Sequence, residues 1–288
     1  MNSITASPRP TECAGAIAPD ARRVPGQLPD GTWSPAFLVA HWAPVLVLAT
    51  VAVLLAAFAG DQWFADRIYA GQGHGWPLRQ AFVTERLLHI GGRDLSTLAW
   101  LAVLAAWLVA RTKVSLSAWR SPLAMLLVST LLATAVVAWI KSWSNMDCPW
   151  DLTRYGGGRE FVGLLSLRPV GMPRAGCFPA GHASSGYAWT ALYFFFLSTR
   201  PRWRWLGLSA GLLLGLLFGG AQQLRGAHFL SSDVWTAAIC WSCALGGYLF
   251  FNGRSRGSFV AAAHAAGGHD ADSLRLSPSA SRRPAGAV

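Results

Sequence analysis

The sequence predicts an all-α, polytopic membrane protein: a bundle of six transmembrane helices with disordered tails. Of its 288 residues, 53% are hydrophobic and 13% are charged, which is about half of the charged share usual in soluble globular domains. The mean hydropathy is +0.35, and six apolar stretches reach or approach the roughly 17–25 residues that a membrane helix needs. A soluble, nucleic-acid-binding or disordered protein is therefore disfavoured, although the net charge is +11.

The six predicted spans follow one another along the chain. They are 37–59, 95–110, 122–140, 180–198, 205–221 and 234–251. The second is the shortest of them. The fifth carries glycines at four-residue spacing, including Gly207, Gly211 and Gly215. Such spacing lets helices approach closely in lipid, so we interpret these glycines as packing positions.

The predicted membrane domain covers residues 37–251 and lies between two tails. Residues 1–36 and 252–288 are rich in small residues and proline and lack an apolar core, so we expect both to be disordered. Residues 1–36 also lack the apolar segment of a cleavable signal peptide.

The basic residues of the connections predict the orientation in the membrane. The connection after span two holds Arg111, Lys113 and Arg120, and the one after span four, TRPRWR, holds three arginines. The positive-inside rule places both, with the two tails, in the cytoplasm. The longer connections, 60–94 and 141–179, then face outward. We expect a multi-pass protein of the cell inner (plasma) membrane whose active site faces the periplasm or exterior.

Two cysteines share an outward connection. Cys148 and Cys177 both lie within 141–179, where an oxidising compartment would permit a disulfide. Their spacing resembles no zinc motif. We take the bridge as a hypothesis. Cys240 and Cys243 lie in span six, where a small apolar role is the default.

Ionisable residues gather at one set of span ends. Lys141 follows span three, His182 opens span four, Arg225 and His228 follow span five, and Asp233 precedes span six. In a six-span topology all of these ends emerge on the same membrane face, whichever way the protein is inserted.

Part of this set is suited to binding an anion. Lys141 and Arg225 offer fixed positive charge for a phosphate or carboxylate. The backbone amides near Ala180, Gly181 and His182 begin a helix, where unpaired N–H groups and the helix dipole favour an anion. Gly181 also lets a ligand approach the backbone closely.

The remaining members are suited to phosphoryl transfer. His228 and His182 can divide the nucleophile and general-acid roles, because neutral imidazole attacks while imidazolium donates a proton. Asp233 can fix the tautomer of His228. Asp147 and Asp151 are too few hard ligands for a convincing magnesium site. We therefore expect chemistry without a metal or other cofactor, through a phosphohistidine.

These residues fall into three ordered motifs. They are Lys141…Cys148-Pro149, Pro179-Ala-Gly-His182 and Arg225…His228…Asp233. The set resembles the type 2 phosphatidic acid phosphatase superfamily, whose motifs read K-x6-R-P, P-S-G-H and S-R-x5-H-x3-D, and the resemblance covers residues 95–251. It implies a six-helix membrane bundle in which His228 attacks phosphorus, Asp233 holds His228, His182 protonates the leaving group, and Lys141 with the arginines holds the phosphate.

The first two motifs depart from the family pattern. Cys148 stands at the arginine position of the first motif, and Ala180 stands at the serine position of the second. Ala180 loses a hydroxyl donor but keeps its backbone amide. Arg154, and less strongly Arg159, are our candidates to replace the missing arginine.

The third motif departs in its spacing. Gln222 stands at the arginine position, while Arg225 lies three residues before His228, on the same face of a helix at about 4.5 Å rise. Asp233 follows His228 by five residues instead of four, which on one continuous helix would point it about 140° away. We expect the chain to break at 230–232 and so to let the two residues pair.

The sequence as a whole predicts a hydrolase that dephosphorylates a membrane lipid phosphate or pyrophosphate at the outer face, with lipids and no nucleic acid as partners. Candidate substrates implied by the resemblance are undecaprenyl pyrophosphate, phosphatidic acid, phosphatidylglycerophosphate and lipid A. Two alternatives stay open: a phosphotransferase that passes the phosphate to a second lipid, and a non-catalytic protein that binds or transports lipid phosphates. The soluble vanadium haloperoxidases share the motifs but are disfavoured because these motifs lie at the ends of membrane spans.

Overall fold

The chain is helical throughout the part that the structure describes. The computed structural model describes residues 24–163 and 166–273, with side chains in the last helix up to residue 253, and this part contains no β-strand. The α-helices are α1 Pro35–Ala57, α2 Gly60–Gly71, α3 Gly92–Thr112, α4 Arg120–Ser144, α5 Gly181–Tyr187, α6 Ala191–Thr199, α7 Arg204–Leu224 and α8 Leu230–Ser273. The predicted all-α class is confirmed.

Five helical stretches within the described residues are long and apolar enough to cross a membrane. They are Pro35–Ala57, Pro77–Thr112, Val114–Asp151, Pro201–Leu224 and Leu230–Gly253. They indicate a membrane protein, and they correct the predicted count of six by length and composition. The exception is the predicted span 180–198, which consists of α5, a 3₁₀ turn Ala188–Thr190 and α6. This broken segment is largely buried, with α4, α7 and α8 packed around it.

The glycines of α7 explain how this broken segment packs. A Cβ placed on Gly211 would lie 2.3 Å from the backbone nitrogen of Thr190, and one on Gly186 of α5 would lie 2.5 Å from that of Gly215. Real Cβ atoms do not come so close to backbone. The close helix approach predicted from the four-residue spacing is therefore present, and it is made against the interrupted helix.

The connection predicted over 60–94 holds two helices that the sequence does not predict. One is α2, and the other is a π-helix, Phe82–Gly91, which runs directly into α3. The second span is therefore longer than predicted. π-Helical turns occur frequently at functional sites, and this one faces the polar end of α7.

The predicted tails are described only in part. Residues 1–23 and 274–288 lie outside the described residues. The segment from residue 24 to α1 contacts α8, because the Tyr248 hydroxyl donates to the Pro25 carbonyl at 2.7 Å and the Gln27 amide donates to the Asn252 carbonyl at 3.3 Å. Helix α8 continues to Ser273, past the predicted span end at 251.

Candidate active site

A polar cavity of about 200 Å³ lies where the ends of α4, α5 and α7 meet. Four of the predicted residues line it: Lys141, His182, Arg225 and His228. The other lining residues are His89, Cys148, Trp150, Cys177, Gln222 and Ala227. The convergence expected from the order of the spans is therefore present, and we treat this cavity as the candidate active site.

His228 lies in the short connection between α7 and α8 and is buried, with 6% of its surface exposed. Its Nδ1 lies 2.8 Å from the Cys177 carbonyl. Because a carbonyl only accepts, Nδ1 carries the proton, which leaves the Nε2 lone pair free for attack. Burial, reinforced by the positive charge of Lys141, lowers the pKa of His228 to about 3. His228 is therefore neutral at ordinary pH, as a nucleophile must be.

The structure does not pair Asp233 with His228, which corrects the predicted catalytic role of Asp233. The Asp233 carboxylate accepts a hydrogen bond from the Gln223 amide of α7 and lies against Gly219, where a Cβ would come within 2.8 Å of it. The chain does break before α8, as expected. The break nevertheless directs the fifth residue toward α7 instead of back to the imidazole.

A carboxylate from α2 holds the beginning of α8 immediately after His228. Asp61 is buried and accepts from the Ser231 backbone N–H at 2.8 Å and from the Ser231 hydroxyl at 2.5 Å. It acts as a helix cap supplied from a distant element. Burial raises the pKa of Asp61, and the two bonds from Ser231 oppose that rise. The sequence analysis missed this residue, because α2 was not predicted.

Cys148 and Cys177 are joined by a disulfide with a Cα–Cα distance of 5.2 Å. The hypothesis made from their shared connection is confirmed. Both residues line the cavity. Their sulfur atoms and a carboxylate oxygen of Asp151 lie within 4.8 Å of one another, a grouping that could hold a metal ion. Metal ligation requires thiolates, so the disulfide is incompatible with that use.

A third histidine stands beside His182. The rings of His89 and His182 have centroids 4.3 Å apart. The Nε2 atom of His182 donates to the Leu88 carbonyl at 3.0 Å, and the Nδ1 atom of His89 pairs with the Gln222 amide at 2.9 Å. The sequence analysis did not place His89 in the site. The π-helix brings His89 to the site, because its Leu88 carbonyl binds His182 and its His89 ring binds Gln222.

Arg225 lines the cavity as predicted, but three of its N–H groups have partners within the protein. Its Nε atom donates to the Arg79 carbonyl at 2.9 Å, and Nη1 donates to the Gln222 side-chain oxygen at 3.0 Å. Nη2 forms an ion pair with Glu85 of the π-helix. A guanidinium has five N–H donors, so two (5 − 3) remain for a ligand.

Lys141 and Gly181 face each other across the cavity wall. A Cβ on Gly181 would lie 3.5 Å from Lys141 Nζ, so the glycine leaves room for the ammonium group. Within residues 24–163 and 166–253, whose side chains are described, Lys141 has no ion-pair partner. The Ala180 amide, in contrast, donates to the Thr236 hydroxyl at 2.9 Å. The predicted use of this amide as an anion donor is therefore wrong.

Neither arginine proposed as a replacement lines the cavity. Arg154 forms an ion pair of 2.6 Å with Asp66 of α2, and 59% of its side chain is exposed. Arg159 pairs with Asp147 at 2.6 Å, and the same carboxylate binds Arg168 at 2.7 Å. These acidic partners neutralise the arginines, so the predicted substrate contact of Arg154 is not present.

A second, larger cavity adjoins the first. It has a volume of about 530 Å³, its lining is mostly apolar, and it lies between α3, α4 and α5. His89, Lys141 and His182 line both cavities. Leu131 of α4 lines it and is also 56% exposed on the outer surface of the bundle. The larger cavity therefore connects the polar site with the apolar surface.

The comparison with protein families agrees with this geometry. The family model of the PAP2 superfamily matches residues 122–256, which contain Lys141, His182, Arg225 and His228. This match supports a member of the type 2 phosphatidic acid phosphatase superfamily. PAP2 proteins are phosphatase-type hydrolases that act on phosphate esters. No curated protein and no solved structure gives a significant match to the chain.

The three departures from the PAP2 motifs each have a structural counterpart. Cys148, at the first arginine position, is part of the disulfide. Gln222, at the second arginine position, bridges Arg225 and His89. The backbone carbonyl of Cys177 takes the place expected for Asp233 as the partner of His228. At this site, neutral side chains stand at the two arginine positions of the motifs, and a neutral backbone carbonyl stands where the motifs have the aspartate partner of the histidine.

Proposed function

We propose that the chain hydrolyses a membrane lipid phosphate or pyrophosphate, without a metal ion, through a phosphohistidine at His228. The observation that carries the proposal is the junction of the two cavities. A small cavity with two cations and three histidines suits a phosphate group, and it adjoins a larger apolar cavity that reaches the bundle surface. A lipid phosphate likewise consists of a small charged head group and a larger apolar chain.

The orientation of the substrate follows from that junction. Lys141 and His182 line both cavities, so the ester oxygen between head group and chain would lie beside them. The chain would extend along Val137 and Leu131 of α4 toward the lipid. Burying each CH₂ group contributes about 0.8 kcal/mol. A water-soluble phosphate ester would lack this contribution.

The reaction would proceed in two steps. His228 Nε2 forms a bond to phosphorus while the bond from phosphorus to the lipid oxygen breaks. His182, which the negative charge of the bound phosphate keeps protonated, gives its Nδ1 proton to that oxygen while Nε2 keeps its hydrogen bond to the Leu88 carbonyl. Neutral His182 then takes a proton from water as the water oxygen attacks phosphorus and the N–P bond breaks. Phosphate leaves with His182 protonated again. Lys141 and the two open donors of Arg225 stabilise charge on the transferring oxygens, a large term in such reactions.

We also propose that the site faces the exterior of the cell inner (plasma) membrane. The arginine-rich connections after α3 and α6 lie at the opposite helix ends, in agreement with the positive-inside rule. The disulfide beside the site supports the same orientation, because disulfides persist in oxidising compartments.

The test is phosphate release from a panel of lipid phosphates in detergent with EDTA present. The panel compares long-chain lipids with short-chain esters of the same head group, and it compares wild type with His228→Ala and the exposed-site control Arg154→Gln. We expect release from long-chain lipids that persists in EDTA, persists in Arg154→Gln and is lost in His228→Ala. The best panel member identifies the substrate class.

Each other outcome points to a different reading. Transfer of labelled phosphate to a second lipid would identify a phosphotransferase. Phosphate binding without turnover on any member would support a non-catalytic lipid-phosphate-binding protein. Equal rates on short-chain and long-chain esters would overturn the lipid assignment while leaving a phosphatase.

A further inference from the structure

We propose that the Cys148–Cys177 disulfide is a positioning element of the active site and that phosphoryl transfer is fast only while it is oxidised. The inference rests on the proposed function, since it concerns the nucleophile of that reaction. In this view the bridge fixes the Cys177 carbonyl, and the carbonyl in turn orients the imidazole of His228.

The contact of Cys177 with the nucleophile is direct. Its carbonyl oxygen lies 2.8 Å from His228 Nδ1, and both residues are buried. Asp233, which a carboxylate-held histidine would need, is bonded to Gln223 instead. Among the described residues, the Cys177 carbonyl is the hydrogen-bond partner of this imidazole. The direction of attack therefore depends on where residue 177 is held.

The other half of the bridge is tied to the connection that carries His228. The backbone N–H of Trp150 donates to the Gly226 carbonyl at 3.0 Å, two residues before His228. Cys148 lies two residues before Trp150. A closed ring results: from Gly226 to residues 150 and 148, across the disulfide to Cys177, and back to His228 through the hydrogen bond. Breaking the S–S bond opens this ring at its one covalent crosslink.

The remaining tethers of Cys177 are weaker than a covalent bond. Its backbone N–H donates to the Met146 carbonyl at 3.0 Å, and the Ser144 hydroxyl donates to the Phe178 carbonyl. Individual hydrogen bonds contribute only modestly to net stability. The connection between α4 and α5 also has glycines and a stretch without regular structure. After reduction, these bonds would keep the connection folded but would hold the carbonyl less firmly.

The bridge also accounts for the cysteine at a motif position. Cys148 occupies the place where the resembling motif has arginine, and it lines the cavity together with Cys177. The disulfide adds no positive charge there, so it does not replace the arginine as a phosphate ligand. It serves instead to hold the nucleophile, and Lys141 and Arg225 supply the charge.

Reduction by a dithiol would convert the bridge to two thiols while the reductant becomes a cyclic disulfide. We expect the rate constant of phosphoenzyme formation to fall about 10- to 100-fold, the scale of a misplacement of about 1 Å. The amplitude of phosphoenzyme should be retained, because the protein stays folded. Reoxidation should restore the rate.

The experiment is rapid-quench measurement of phosphoenzyme formation from a ³²P-labelled lipid phosphate, on full-length protein in detergent, oxidised and reduced. Mass spectrometry after alkylation counts free thiols at residues 148 and 177 in each sample. The variant Cys148→Ala/Cys177→Ala should show the slow rate with or without reductant. The control Cys240→Ala/Cys243→Ala keeps the bridge and should respond to reductant as wild type does.

Rate and amplitude separate positioning from loss of structure. A fall in rate with retained amplitude, reversed by reoxidation, supports the proposal. An unchanged rate in protein shown to carry two free thiols overturns it, and so does a fall in amplitude alone, which means that reduction unfolds part of the sample. Two free thiols in the untreated protein with bound zinc would overturn it too. Absence of any phosphoenzyme in oxidised wild type would overturn the proposed function and the inference together.

Discussion

Replacement of Asp233 by asparagine tests the most specific difference between the motif resemblance and the structure. If Asp233 held His228, as the resemblance implies, its loss would resemble the loss of a triad carboxylate, about 10⁴-fold in kcat. That corresponds to about 5.4 kcal/mol at about 1.36 kcal/mol per tenfold change. The structure instead places the carboxylate on Gln223 and the imidazole on Cys177. We expect Asp233→Asn to change kcat by less than about 3-fold, or about 0.7 kcal/mol.

Asp233→Asn should also affect the stability of the protein, and in the stabilising direction if at all. Asparagine keeps one oxygen to accept from the Gln223 amide. One carboxylate oxygen of Asp233 is buried without a hydrogen-bond partner among the described residues, and an unsatisfied buried polar atom costs about 1–3 kcal/mol. A neutral amide of the same shape is easier to bury than a carboxylate. We therefore expect the melting temperature of Asp233→Asn to be unchanged or higher.

The assay is phosphate release under saturating lipid, with thermal unfolding of the same detergent-solubilised samples. Ser232→Ala serves as the matched control, because Ser232 stands four residues after His228, where the motif has its aspartate, and its buried hydroxyl has no partner within the described region. A kcat at least 100-fold below wild type in an Asp233→Asn protein of normal stability would refute our reading. It would mean that the carboxylate reaches His228 in the working enzyme.

Three further predictions concern packing, charge and pH. Gly211→Ala should lower the stability measured by thermal unfolding by about 1–3 kcal/mol, because its Cβ would lie 2.3 Å from facing backbone. Gly220→Ala in the same helix has no described atom within 4 Å of its Cβ and should raise that stability by up to about 1 kcal/mol. Equal effects of the two variants would contradict the packing. Arg225→Gln should lower kcat/KM about 10²- to 10³-fold. Arg154→Gln should leave kcat/KM nearly unchanged, because the Arg154 side chain is exposed and paired with Asp66 outside the cavity. A large loss of kcat/KM in both variants would place Arg154 at the substrate. Because burial lowers the pKa of His228 to about 3, the unfolded chain binds a proton below about pH 6.5 that the folded chain does not. Wild type should therefore lose stability between pH 6 and pH 4 more steeply than His228→Asn, by up to about 1.4 kcal/mol per pH unit, and parallel profiles would show that His228 already titrates normally in the folded protein.

Much of the architecture can be predicted from the order of apolar and charged residues. Membrane spans require long apolar runs, and consecutive spans alternate in direction. The meeting of Lys141, His182, Arg225 and His228 at one end of the bundle follows from counting helix ends. Five helical stretches, against six predicted spans, are long and apolar enough to cross a membrane, because the fourth predicted span is broken and buried. The packing role of the α7 glycines is likewise a local property of their spacing.

The hydrogen-bond and ion-pair partners of individual side chains could not be predicted in this way. The structure moves Asp233 to α7, pairs Arg154 with Asp66, and occupies the Ala180 amide with Thr236. Each contact joins residues from different elements, and whether a hydrogen bond forms is decided within a few tenths of an ångström. The spacing of residues in a motif does not define positions at that scale, because connections bend where their own tertiary contacts require.

The connections themselves hold the rest of what only the tertiary structure decides. The unpredicted π-helix brings Glu85 and His89 to the site, α2 brings Asp61 to the start of α8, and the connection between α4 and α5 places a backbone carbonyl on His228. Apolar burial in a bilayer is a sum over a long run of residues, so the order of apolar and charged residues along the chain determines the class, the approximate spans and the gathering of charges. Orientation of a nucleophile depends on a few polar contacts between distant segments, and these exist only once the whole chain is folded.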